Sequence, residues 1–149
     1  MKTLQDIETD VSHAAVRIGA SGQNLPTYGI SHDFGRPHVE VDHGLYHYVV
    51  VERGEERVRR SSDRYDDLLY WIFKDVTHSL AFSYELQNRV EDQDCRRIAF
   101  PKQVELMKQL GREMGERLEG EIADILRGWP YDDAPTKAVN RMRRNKDSL

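Results

Sequence analysis

Four histidines and two carboxylates crowd the first third of the chain, and they are the residues best placed to do chemistry. His32, His38, His43 and His47 lie close together in sequence. If residues 38–42 are extended, alternation puts His38, Glu40 and Asp42 on one face. His47 would then approach from the following strand. A zinc site needs three or four such ligands converging at bonding distance, and the bound metal would activate water for hydrolysis. The spacing matches no diagnostic metal motif, and the same residues serve equally as the solvent side of a half-exposed strand. No metal and no other cofactor is assigned; a hydrolase built on His32, His38, Glu40 and His47 stands as a competing reading.

Nucleophilic chemistry finds less support. Cys95 lies between Asp94 and Arg96 with no histidine beside it in sequence. Ser61, Ser62, Ser79 and Ser83 lack the glycine setting of a nucleophile elbow. Gly19-Ala20-Ser21-Gly22 has no preceding strand and no following Lys, so it fails as a phosphate cradle and reads as a helix terminator. The chain is therefore expected not to be an enzyme.

The elements that position these residues can be read from periodicity. Residues 3–18 carry Leu4, Ile7, Val11, Ala14 and Ile18 at helical spacing, with Thr3 and Asp6 as a capping pair and Gly19 and Gly22 as the stop. Strands are expected over 27–32, 38–42, 46–52 and 55–60, separated by Gly35 with Pro37, by His43-Gly44 and by Arg53-Gly54. Val49-Val50-Val51 lacks alternation, which suits a central strand. Residues 55–60 are charged at nearly every position, which suits a protected edge. Short connections favour an antiparallel meander.

Beyond the strands, a long helix is expected over 64–91, capped by Ser62 or Asp63 and apolar along Leu69, Ile72, Phe73, Val76 and Leu80. Residues 92–100 are open between a break and a continuation. Pro101 suits the first turn of a further helix ending at Gly111. A last helix follows over about 112–127, with Met114, Leu118, Ile122, Ile125 and Leu126 inward. The fold class is α+β: an N-terminal helix, an antiparallel meander of about four strands, then three C-terminal helices packed on the sheet. Residues 1–134 form one expected domain, and 135–149 a basic, flexible tail.

Charge divides the same way. The last fourteen residues carry Lys137, Arg141, Arg143, Arg144 and Lys146 against Asp147, a net +4; the whole chain carries −4, so the remainder carries −8. An acidic body is a poor ligand for phosphate backbones, which need Lys and Arg, and suits a basic protein partner. No run approaches the roughly 20 apolar residues that cross a bilayer. The N-terminal MKTLQDIETD has no apolar signal core, and a lone Cys95 fits a reducing compartment. The expected location is the cytoplasm, with neither nucleic acid nor membrane as partner. A nucleic-acid role confined to the tail is the weakest competing reading.

Several segments carry a family likeness. LPTYG (25–29), PHVEVD (37–42), YHYVVVERGEE (46–56), LLYWIF (68–73) and the pattern from Tyr84 through QDCRRIAF (to Phe100) resemble the immunity protein 63 family of bacterial polymorphic toxin systems. The resemblance runs from about Leu25 to Tyr131. It implies a small cytoplasmic antidote that binds and blocks a cognate toxin domain, with contact-dependent or secreted nuclease toxins as the expected target class. It supplies no catalytic or ligand residues. Acids near turns and caps are the expected toxin contacts: Glu52, Glu55, Glu56, Asp66, Asp67, Asp92 and Asp94. Tyr46 and Trp71 read as core first and as aromatic anchors second. The alternative is an interaction or regulatory module without a toxin partner.

Overall fold

The computed structural model describes residues 1–148. Leu149, the last residue of the expected tail, lies outside the described residues. The chain divides into two compact units, Met1–Thr77 and His78–Leu149.

The first unit opens with helix α1 (Leu4–Arg17). Its reciprocal cap forms as the Thr3/Asp6 spacing predicts: Asp6 N–H donates to Thr3 Oγ1 at 3.1 Å, and Thr3 N–H donates to Asp6 Oδ2 at 2.9 Å. Ile7, Val11, Ala15 and Ile18 are buried. Leu4 and Ala14, expected inward, are only half-buried, because the buried stripe turns toward Ala15. After a 3₁₀ turn at Gly22–Asn24, four strands form one sheet in the order β1 (Thr27–Tyr28), β2 (Pro37–Asp42), β3 (Leu45–Glu52) and β4 (Glu55–Ser62).

β3 is central and β4 is the charged edge. Both hairpins close as two-residue loops with positive φ at each central residue, His43 and Gly44 in one, Arg53 and Gly54 in the other. That is the turn whose twist matches flanking strands. The sheet is mixed, however, not the purely antiparallel meander expected. β1 pairs parallel to β2, with Thr27 opposite His38 and Tyr28 opposite Val39. Residues 29–36 carry the chain back, and Asp33, Phe34 and Gly35 all adopt left-handed φ on the way. A two-residue strand needs no helical crossover to pair in parallel, so the usual length argument does not apply.

Register assigns the two faces of the sheet. Val39, Val41, Tyr46, Tyr48 and Val50 share one face. Helix α2 (Tyr65–Gln87) meets that face with its first turns. The Tyr48 hydroxyl donates to Asp75 in a short hydrogen bond, and the Tyr46 and Tyr65 rings lie 5.5 Å apart. Tyr65 in turn donates to Asp10 of α1 at 2.7 Å. Leu68, Tyr70, Ile72, Phe73 and Val76 are buried along α2. Burial together with the Asp75 carboxylate pushes the Tyr48 pKa far above its ordinary value.

The unit boundary falls within α2. The second unit holds its last turns and helices α3 (Arg96–Leu110), α4 (Arg112–Gly128) and α5 (Ala134–Asp147). Residues 88–95 are a break. α3 starts five residues before Pro101, so Pro101 lies inside the helix and not in its first turn. Gly111 alone links α3 to α4 in an extended conformation, and the two helices pack on each other. Ala99, Phe100, Leu106, Met107, Leu118 and Ile122 are buried, whereas Ile125 is exposed. The basic segment after Ala134 is helical. Among the described residues no helix is long and apolar enough to cross a membrane.

Candidate functional site

The histidine and carboxylate group lies on the sheet face opposite α2. His38 and Glu40 of β2 share that face with Val49 of β3 and, on β4, with Arg59 and Glu56. His38 Nε2 bonds Glu40 Oε1 at 2.8 Å; Arg59 donates to Glu40 Oε2 at 3.0 Å and grips both oxygens of Glu56 at 2.8 and 3.0 Å. The hydrogen bond from His38, with Arg59 adding to it, holds the Glu40 carboxyl below the usual range, and Arg59 does the same for Glu56. His47 turns instead to Ser61 at 2.6 Å. Among the described residues no group of three or more His, Cys, Asp or Glu is placed to hold a metal ion. The guanidinium occupies the carboxylates that a cation would need, so this face is an ion-paired surface.

The acidic residues named above fall into three settings. At the β3–β4 turn, Glu52 stands directly across from Glu55. Like charges placed opposite each other are destabilising. Arg57 pairs with Glu55 at 3.0 Å, but among the described residues no hydrogen bond or ion pair holds the Glu52 side chain. Glu56 next door is bound to Arg59. At the start of α2, Asp66 is exposed and Asp67 accepts from Ser62 Oγ at 2.8 Å. Tyr46 is buried, its hydroxyl accepting the Lys2 N–H at 2.8 Å, and Trp71 is half-buried.

The third setting is the break between α2 and α3. Asp92, at φ +62°, accepts from Asn140 Nδ2 at 3.0 Å, and Arg144 bonds Glu91 at 2.8 Å, which ties α5 to the break. Asp94 has only 8% of its surface exposed, although sequence places it among surface acids. Its carboxylate accepts from the Arg96 guanidinium at 2.8 and 3.2 Å, from Arg96 N–H at 3.0 Å and from Asp132 N–H at 3.0 Å. Arg96 also donates to the Trp129 and Pro130 carbonyls at 2.8 and 2.9 Å, and its guanidinium lies over the Phe100 and Tyr131 rings. The Arg96 hydrogen bond, reinforced by the backbone N–H groups, holds the Asp94 pKa far below its ordinary value. This arrangement staples the α2–α3 break to the α4–α5 loop. Cys95 lies beside it in an open groove of about 530 Å³ whose lining contains no histidine.

Sequence reasoning passed over one exposed feature. Phe34, in the β1–β2 loop, has 94% of its surface in water at φ +57°. Its signal in the sequence is the isolated aromatic between Asp33 and Gly35, in a segment that reads as strand and turn.

A family model described as Immunity protein 63 matches residues 42–124, more than half of the chain. The match takes in the β3–β4 hairpin, α2, α3 and Asp94; it leaves out α1, the Phe34 loop and α5. No curated protein and no solved structure matches the chain.

Proposed function

The chain belongs to the immunity protein 63 family, and from that premise we propose that it neutralises a cognate bacterial toxin domain by binding it in the cytoplasm, without catalysis of its own. The family match is the observation that carries this reading. The charge distribution supports a finer one, in which the toxin is a nuclease of a contact-dependent or other polymorphic system and its basic substrate surface is covered by an acidic antidote. The chain outside its last fourteen residues carries −8, and such a field speeds encounter with a basic partner.

Among the seven acids, the accessible carboxylates at the β3–β4 turn and the start of α2 are the ones to meet the toxin first: Glu52, Glu55 and Asp66. Glu55 pairs with Arg57 yet stays largely in water, whereas Glu56, Asp67 and Asp92 are each committed to an internal partner and rank after these three. Asp94 serves the toxin complex indirectly, by holding its own unit together. Neither nucleic acid nor membrane enters this reading.

Co-expression with the toxin domain encoded beside it tests the proposal. Growth rescue together with co-purification is the expected result; a chain that neither rescues growth nor co-purifies is not its antidote. Replacing Glu52→Lys together with Glu55→Lys is expected to weaken the complex by about tenfold or more, chiefly through slower association. The association rate of the unaltered pair should fall steeply with added salt; a flat salt profile removes electrostatic steering from the account.

A further inference from the structure

The β1–β2 loop holds its aromatic residue in a way that ordinary folding requirements do not explain. Asp33, Phe34 and Gly35 form three consecutive left-handed residues, at φ +56°, +57° and +76°. Glycine tolerates that conformation, and Asp tolerates it better than a bulky aromatic, for which it is a genuine outlier. Such strain persists only where the surroundings impose it. Here they do: Gly35 N–H donates to Val51 O at 2.9 Å, Gly54 N–H donates to Asp33 Oδ2 at 2.9 Å, and Phe34 N–H donates to Asp33 Oδ1 at 2.6 Å. The loop is thereby fastened to the end of the β3–β4 hairpin. What this fastening presents is a Phe ring with 94% of its surface in water, contributing nothing to the core.

On the hairpin end to which the loop is fastened stand the like-charged cross-strand neighbours Glu52 and Glu55. Arg57 already pairs with Glu55 at 3.0 Å, which leaves the exposed Glu52 carboxylate to draw a further cation. An exposed aromatic that is already rigid loses little entropy on binding, and a desolvated aromatic ringed by polar contacts is how interface hot spots are built.

We propose that the Asp33–Gly35 tip and the adjoining β3–β4 turn form the toxin-docking surface, with Phe34 entering an apolar socket and Glu52 and Glu55 meeting Lys or Arg on its rim. This inference rests on the immunity reading and names the surface that serves it. Phe34 lies outside the stretch matched by the family model.

The test uses the full chain and the toxin domain encoded beside it. Phe34→Asn suits the left-handed backbone, so its unfolding midpoint should equal or exceed that of the unaltered chain. Its affinity for the toxin domain should nevertheless fall by about 30-fold or more, the loss typical of a hot-spot aromatic. Trp129→Ala removes another exposed aromatic, in the second unit, and should leave affinity unchanged. If the unaltered chain binds and rescues growth while Phe34→Asn binds within about threefold of it, well short of a hot-spot loss, the docking surface lies elsewhere and the immunity reading stands. If Phe34→Asn alters only self-association in analytical ultracentrifugation, the tip covers a second copy of the chain and the proposal is overturned. If the unaltered chain does not bind the toxin domain, both readings fall together.

Discussion

Replacing Asp94 with alanine is expected to lower the unfolding free energy by about 3 kcal/mol, the low end of the range for breaking a buried ion pair. The Asp94 carboxylate accepts hydrogen bonds from the Arg96 side chain and from two backbone N–H groups, those of Arg96 and Asp132. Removing it leaves the Asp132 N–H without its acceptor and the part-exposed Arg96 without its counter-charge. Arg96 would still hold the Trp129 and Pro130 carbonyls, which is why the low end of the range applies. Asp94→Asn keeps the shape and loses the charge, so it should fall between alanine and the unaltered chain. Denaturant titration of the three proteins checks the order. A loss below about 1 kcal/mol for the alanine variant, the level of an exposed pair, would show that the staple does not hold the α4–α5 loop.

The same carboxylate gives the expected pH dependence. Its folded pKa lies well below its ordinary value, with the Arg96 hydrogen bond as the main cause. A depressed carboxylate stabilises the fold fully above its unfolded pKa, and that contribution is lost as pH falls through the folded one. Glu40, Glu56 and Asp133 are shifted in the same direction. Stability should therefore decline as pH drops below about 4, the ordinary carboxylate range. The Asp94→Asn variant should decline less steeply. Equal slopes for the two proteins would remove Asp94 from the acid response.

Local chemistry made some of this fold legible, and long-range partners hid the rest. The Thr3/Asp6 cap, the two hairpins and the charged edge strand each depend on residues within a few positions of one another, so the sequence pattern reveals them. The parallel β1–β2 pairing depends on left-handed backbone at Gly29 and at residues 33–35, of which only the two glycines are marked locally in the sequence. The burial of Asp94 depends on Asp132, whose N–H arrives from 38 residues away; nothing in Asp94-Cys95-Arg96 distinguishes that fate from a solvated charge cluster. Pro101 is a strong helix-start signal that points past the true start of α3, where the backbone bonds run from Arg97 to Asp94 and from Ala99 to Cys95. As for the candidate surface, its acids could be read off the chain, but their division into free, paired and buried could not.

Enlarging Gly115 is the second substitution with a large expected effect. Gly115 is buried on α4 where that helix meets α3. A Cβ at this position would overlap Lys108 Cγ and come within 3.2 Å of Lys108 Cα. Clearing Lys108 Cγ requires the side chain to turn about its root, although it pairs with Glu119 across the same crossing. Its Cα cannot move without displacing α3. Gly115→Ala therefore sets a helix-propensity gain of about 1 kcal/mol relative to glycine against a clash with the root of Lys108 and its backbone, and should be destabilising on balance, though less so than a larger side chain. Gly115→Leu adds bulk that no rotamer can clear, and overpacking of this kind costs about 3 kcal/mol. The effect should appear as early unfolding of the second unit, with amide exchange rising first at Leu106, Met107, Leu118 and Ile122. Slow exchange at those four positions in the leucine variant would mean that α3 and α4 can separate without loss, and that the close approach at Gly115 is incidental to their packing.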